Sequence, residues 1–265
     1  MSPYHHPSVH RRTFSRLGAL SVAVALGAGS LGACSKDSGG NDTTSASSTT
    51  AATTTEPGKE TTAPPDTLDP RLEADMRAAM ARAEKVSLTK DDLATNWQSL
   101  PPAEGDEGPL EACTEVDLDT HLMGLYRSNG FSNTVDPGAL QVSSSVTVMD
   151  DESAATDLMA DMRTDRFVGC VNDLFNGSTD TVERKGEIKR NETAPDLGDE
   201  AVALSGEFVV SPLDGTPDHP VSMVVVAFRT GDMITTLNST AVDRNLDEQL
   251  IRDLLDKLLQ RATAN

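Results

Sequence analysis

Ser87-Leu88-Thr89-Lys90 is the segment of this chain whose spacing comes nearest to a covalent mechanism. A hydroxyl three residues ahead of an amine can act as a nucleophile whose proton the lysine takes, if the serine opens a buried helix and the lysine follows one turn on. Arg229-Thr230-Gly231, on a predicted late strand, supplies a second fragment of such a site, but a middle Ser-Asp-Asn fragment is missing. Thr89-Lys90-Asp91-Asp92-Leu93 reads better as a turn or helix start on a charged segment, so Ser87 and Lys90 are assigned to turn chemistry. Asp117, Asp119 and His121 alternate, and Asp150-Asp151-Glu152 form a run. Carboxylates are ligands for Ca²⁺, yet neither group has the glycine-containing spacing of a calcium loop. Acids at helix starts, favoured by the macrodipole, explain both groups. His121 is predicted as a half-buried helix residue and His219, between Asp218 and Pro220, as a solvated one. No nucleophile elbow, phosphate loop or dinucleotide fingerprint occurs. The expectation is a domain without catalysis, metal or cofactor.

The N-terminus is more informative. Arg11, Arg12 and Arg16 precede an uncharged apolar run from Leu17 to Leu31, too short to span a bilayer, and that order is a secretory signal. The run ends in Leu31-Gly32-Ala33-Cys34, which resembles the lipobox of bacterial lipoproteins. The resemblance implies a diacylglyceryl thioether on Cys34 and cleavage just before it, so that residues 1–33 form the signal peptide. Two acyl chains hold a protein stably on a membrane, each buried methylene contributing about 0.8 kcal/mol. His10-Arg11-Arg12-Thr13-Phe14 resembles a twin-arginine export signal, with Ser15 where that family prefers an apolar residue; general secretion is the alternative route. With Cys34 lipidated, Cys113 and Cys170 remain as an even pair in an oxidising compartment. A disulfide between them would stabilise by roughly 4 kcal/mol in the chain-entropy model. Two free thiols are the alternative; a metal site would need a histidine at ligand spacing, which neither His121 nor His219 has.

Three arginines and no acid leave with residues 1–33, so the formal charge moves from −20 to −23. Such a surface repels nucleic acid and anionic headgroups, which excludes nucleic acid as a partner. Residues 34–70 read as a disordered linker: Ser and Thr dominate, with Gly, Pro and Ala, and too little apolar surface is available to offset ordering entropy. As a flexible coil it would span on the order of 30–35 Å. Residues 71–265 are one domain's worth of periodic sequence.

The apolar spacing within that domain predicts its elements. Leu72, Met76, Met80 and Ala83 form a stripe on a helix over 71–86. Leu118, Leu122 and Leu125 point to a short helix over 117–128. Residues 140–149 alternate as a strand, and Asp150 or Asp151 then caps a helix carrying Ala155, Leu158, Met159 and Met162. A second helical segment carries Phe167, Cys170, Val171 and Leu174 and ends near Gly177. Strands over 181–189, 200–211, 220–229 and 232–240 make a meander, with a hairpin at Thr230-Gly231-Asp232. A last helix starts at Asn245 and buries Leu246, Leu250, Leu254, Leu255, Leu258 and Leu259. The predicted class is α+β, an antiparallel sheet with helices packed mainly on one face.

Taken in order, the lipobox, the Ser/Thr linker, Trp97, Cys113, the Asp151-Glu152-Ser153-Ala154-Ala155-Thr156-Asp157 helix, Cys170, Leu197-Gly198-Asp199-Glu200-Ala201 and Arg229-Thr230-Gly231-Asp232 carry a family likeness. The chain resembles actinobacterial cell-envelope lipoproteins and, more distantly, the extracellular sensor domains of actinobacterial serine/threonine kinases. That resemblance implies an antiparallel sheet with helices and a cleft, and with the cleft ligand binding. Those sensor domains usually carry two disulfides where this chain can form one. The function expected is that of a monomeric lipoprotein on the extracytoplasmic face of the cell membrane, with a non-enzymatic ligand-binding or sensor-like domain. A lipid carrier, an accessory subunit of an envelope complex and an envelope enzyme are the alternatives.

Overall fold

A computed structural model describes residues 69–101, 109–192 and 194–265. Cys34, Arg11 and Arg12 lie outside them. The chain opens with α1 (Pro70–Val86), where Pro70 stands at the first helical position and the Asp69 carboxylate accepts the Arg71 N–H. A single 3₁₀ turn (Lys90–Asp92) leads to β1 (Gln98–Leu100), α2 (Pro109–Cys113) and α3 (Leu118–His121). Strands β2 (Leu122–Arg127), β3 (Gly130–Thr134) and β4 (Ala139–Met149) follow, then α4 (Glu152–Met162) and α5 (Asp165–Phe175). The remainder is β5 (Gly177–Ser178), β6 (Val182–Arg190), β7 (Glu200–Pro212), β8 (His219–Thr230), β9 (Met233–Val242) and α6 (Glu248–Ala264).

The nine strands among the described residues join one antiparallel sheet in the order β1-β3-β4-β9-β8-β7-β6-β5, with β2 also paired to β4. The expected α+β class is the observed one. Because side chains alternate along a strand, neighbouring residues of β7 and β8 feed opposite layers. Ala203, Val226 and Phe228 join α1 and α6 in one apolar cluster; Val202, Leu204 and Ala227 join α4 and α5 in the other. Of the helices among the described residues, α2 to α5 contribute to the second cluster, and the two longest, α1 and α6, to the first. β8, between β7 and β9, is covered on both sides at Val226, Ala227 and Phe228.

Three elements differ from the sequence reading. The helix predicted over 117–128 stops at His121, and Leu122–Arg127 is strand β2. The outer edge of β4 from Ser145 to Met149 is otherwise unpaired, and the ladder it offers prevails over local helical spacing. On α1 the buried positions are Ala79, Ala83 and Val86, whereas Leu72 and Met80 are each 40% exposed. The cause is Gly124 of β2. A β-carbon built there would lie 2.9 Å from the Met80 backbone nitrogen, so helix and strand touch backbone to backbone and only small side chains fit between them. The final helix begins at Glu248, after an Asp247 cap whose side chain accepts the Leu250 N–H, and not at Asn245.

Gly124→Ala should therefore push α1 off the sheet and cost roughly 1–3 kcal/mol. Urea denaturation followed by circular dichroism would measure it, and unchanged stability would show that the two backbones are not in contact.

Candidate functional site

Ser87 and Lys90 both bond backbone carbonyls. Ser87 is 1% exposed, and its hydroxyl donates to the Ala83 carbonyl at 3.1 Å, closing α1. The Lys90 ammonium donates to the carbonyls of Ala94 and Trp97, which folds the following loop over buried Trp97. Arg261 of α6 clasps the same turn through the Asp92 carboxylate and the Ser87 carbonyl. Asp117 and His121 meet Asp151 and Asp157 around a small cavity of about 290 Å³ that Asp119 does not line. Their polar atoms have local tasks: Asp117 accepts from the Thr120 hydroxyl, Asp151 caps α4 at the Ala154 N–H, and His121 Nδ1 lies 3.0 Å from Asp150. His219, predicted as solvated, is instead half-buried, with its Nδ1 2.7 Å from an Asp243 carboxylate oxygen. Among the described residues no group of three or more His, Cys, Asp or Glu is placed to hold a metal ion.

A larger concavity lies elsewhere, between the N-terminal half of α5 and strands β6 and β7. It is a cleft of about 1030 Å³ lined by Arg163, Asp165, Val168, Gly169, Asn172, residues 187–192, Ala194 and residues 201–203. Its helical wall is firmly placed. The Thr164 hydroxyl caps α5 at the Phe167 N–H, Cys170 is bonded to Cys113 of α2 with the α-carbons 5.6 Å apart, and Phe175 packs on Phe208 of β7 with ring centroids 5.8 Å apart. Arg166 reinforces the α2 junction by donating to the Cys113 carbonyl at 2.7 Å and to Asp161 at 2.5 Å.

The strand wall is the outermost long strand, β6, and α5 closes its free edge. Asn172 does this with one carboxamide: its Oδ1 accepts the Ile188 N–H at 2.6 Å and its Nδ2 donates to the Ile188 carbonyl at 2.8 Å. Those are the two bonds a neighbouring strand would make. Asn176 Oδ1 accepts the Gly186 N–H at 2.8 Å, and β5 pairs with Glu183 and Arg184 beyond it. Nothing in the periodicity marks these asparagines; the available signal was two amide side chains four residues apart on a helix that precedes a strand.

A network of ion pairs holds the far wall. Arg163 donates to Glu200 at 2.5 Å and to the Ala201 carbonyl at 3.3 Å. Glu200 also accepts from Arg229 at 2.7 Å, and Arg229, with only 9% of its side chain exposed, further bonds Glu152 at 3.0 Å and reaches Asp199 at 3.2 Å. Asp199 accepts the Gly231 N–H, and Asp232 takes a two-pronged bond from Arg82 of α1. Gly198, at φ +60°, admits this approach, since a β-carbon there would lie 2.1 Å from the Arg229 carbonyl oxygen. The Leu197–Ala201 and Arg229–Asp232 segments thus interlock. Burial pushes the Glu200 carboxyl up, yet the hydrogen bonds from Arg229 and Arg163 outweigh it and hold Glu200 below the ordinary carboxylate value.

No family model matches the chain, and no curated protein matches it. Among solved structures it is similar to the extracellular domain of PknH from Mycobacterium tuberculosis, at 11% identity and a TM-score of 0.42, over 71% of this chain and 97% of that one. It is also similar to LpqN, involved in cell envelope biogenesis of the same organism, at 13% identity and a TM-score of 0.29, over 63% of this chain and 78% of that one. What the cleft can bind follows from its own residues.

Arg229→Gln leaves Glu200 half-buried with one cationic partner in place of two, and should cost roughly 3 kcal/mol at neutral pH. Because the folded pKa of Glu200 is depressed, its contribution is complete above the ordinary carboxylate range and is lost as pH falls through the folded value. The variant's melting temperature should accordingly fall less than the parent's between pH about 5 and 3. Parallel melting curves would remove the network from the acid response.

Proposed function

We propose that the chain is a lipid-anchored lipoprotein on the extracytoplasmic face of the cell membrane, with a non-enzymatic domain that binds a ligand in the α5–β6 cleft. The observation that carries this reading is the Cys113–Cys170 bond. Disulfides persist in oxidising compartments outside the cytoplasm, and with these two thiols paired the remaining cysteine is Cys34, directly behind the apolar N-terminal run. That is the cysteine a lipobox requires.

The binding role is supported by how the reactive side chains are engaged. Ser87 and Lys90 bond backbone carbonyls, and Asp117, Asp151 and His121 serve helix ends and a neighbouring acid. The cleft instead joins a charged rim, with Arg163, Lys189 and Arg190 against Asp165, Glu187 and Glu192, to an apolar floor of Val168, Ile188 and Val202. A few oriented polar groups over an apolar base is the usual make-up of a ligand site, and the charged rim favours a polar ligand over a lipid.

The Cys34→Ser chain should leave the membrane fraction, while the parent's N-terminal peptide should begin at Cys34 and carry the mass of a diacylglyceryl group. A Cys34→Ser chain that stays in the membrane fraction as completely as the parent would overturn the anchor.

A further inference from the structure

The outer edge of β6 is closed residue by residue until it enters the cleft. Ile188 turns its N–H and C=O away from β7, toward Asn172, whereas the Asn191 N–H donates to the Ala203 carbonyl of β7. In an antiparallel ladder these orientations alternate with a period of two, so the N–H and C=O of Arg190 face outward again. Among the described residues no side chain or loop group bonds them. Arg190 is thus the open end of the edge, and it lines the cleft.

The helix opposite contributes an independent observation. Gly169 lies within α5, where glycine is less favourable than alanine, so a packing reason is expected. There is none: a β-carbon built at Gly169 meets nothing within 4 Å, and the residue lines the cleft. At Gly124 the lack of a side chain admits a neighbouring backbone; at Gly169 it keeps space clear.

We infer that the α5–β6 cleft binds an extended peptide, which continues the sheet beyond Ile188 by pairing with the Arg190 backbone and passes over Gly169. Strand addition of this kind takes its affinity from main-chain hydrogen bonds and its preference from the side chains alongside. Here those are Lys189 and Arg190 together with Asp165, Glu187 and Glu192, so peptides carrying both signs of charge fit best. The inference rests on the ligand-binding reading above and names its ligand class.

The test uses the natively produced full chain in detergent, applied to an immobilised library of peptides of about ten residues with varied charge pattern. A subset bearing both basic and acidic residues should bind. Gly169→Ala should melt no lower than the parent yet bind those peptides more weakly, and Gly169→Leu about tenfold more weakly, the equivalent of losing one or two backbone hydrogen bonds. Peptides that bind parent and both variants alike would overturn the assignment of this cleft. If no peptide binds but soluble glycan fragments raise the melting temperature, the peptide class is wrong while the binding reading stands. If neither has any effect, both fall.

Discussion

One side chain stands in for a strand. The Asn172 carboxamide makes with Ile188 both of the hydrogen bonds that a further β-strand would make, and the cleft depends on that pair. It sets the distance between α5 and the sheet, it satisfies backbone groups that would otherwise face solvent, and it ends the protected part of the edge two residues before Arg190. A long unprotected edge invites other chains, and proteins cover such edges or shorten them. Here the cover is a helix, and what it leaves open is a short length of edge inside a concavity.

The helix can do this because it is fixed at both ends by unrelated means. Its first half is tied to α2 through Cys113–Cys170 and the Arg166 bonds, and its end rests on Phe208 through Phe175. The opposite wall is fixed electrostatically. Arg229 gathers carboxylates from α4, from the loop before β7 and from the start of β7, and Asp232 three residues beyond it ties the β8–β9 hairpin to α1. Buried ion pairs of this type often add no stability over an apolar replacement, but they select one geometry, because each lost partner leaves a charge uncompensated.

Much of this architecture was legible in the chain. Strands β4 and β6 to β9, helices α4 and α5 and the turn at Gly231 followed from alternation, caps and glycine placement, because in those segments local pattern and tertiary demand agree. β2 was misread because Leu118, Leu122 and Leu125 carry helical spacing, while the sheet needed a partner for the outer half of β4. β1 and β3 are short and polar, and their pairing is set by neighbours and not by their own residues. The α1 stripe was misjudged because Gly124, whose role is visible only once helix and strand are together, makes alanine the correct contact residue. The site was the least legible part. Its features are a backbone phase, two asparagines and a glycine with empty space above it, none of which periodicity marks; the residues with recognisable chemistry, Ser87, Lys90 and Asp117, bond neighbouring backbone or side-chain groups.

Amide hydrogen exchange resolved by residue along β6 tests the central geometry most directly. In the free chain the Ile188 amide, bonded to Asn172, should exchange slowly, while the Arg190 amide two residues on should exchange quickly. Equal and strong protection at both positions would mean that the edge is already closed at Arg190, and the account of the cleft would be wrong.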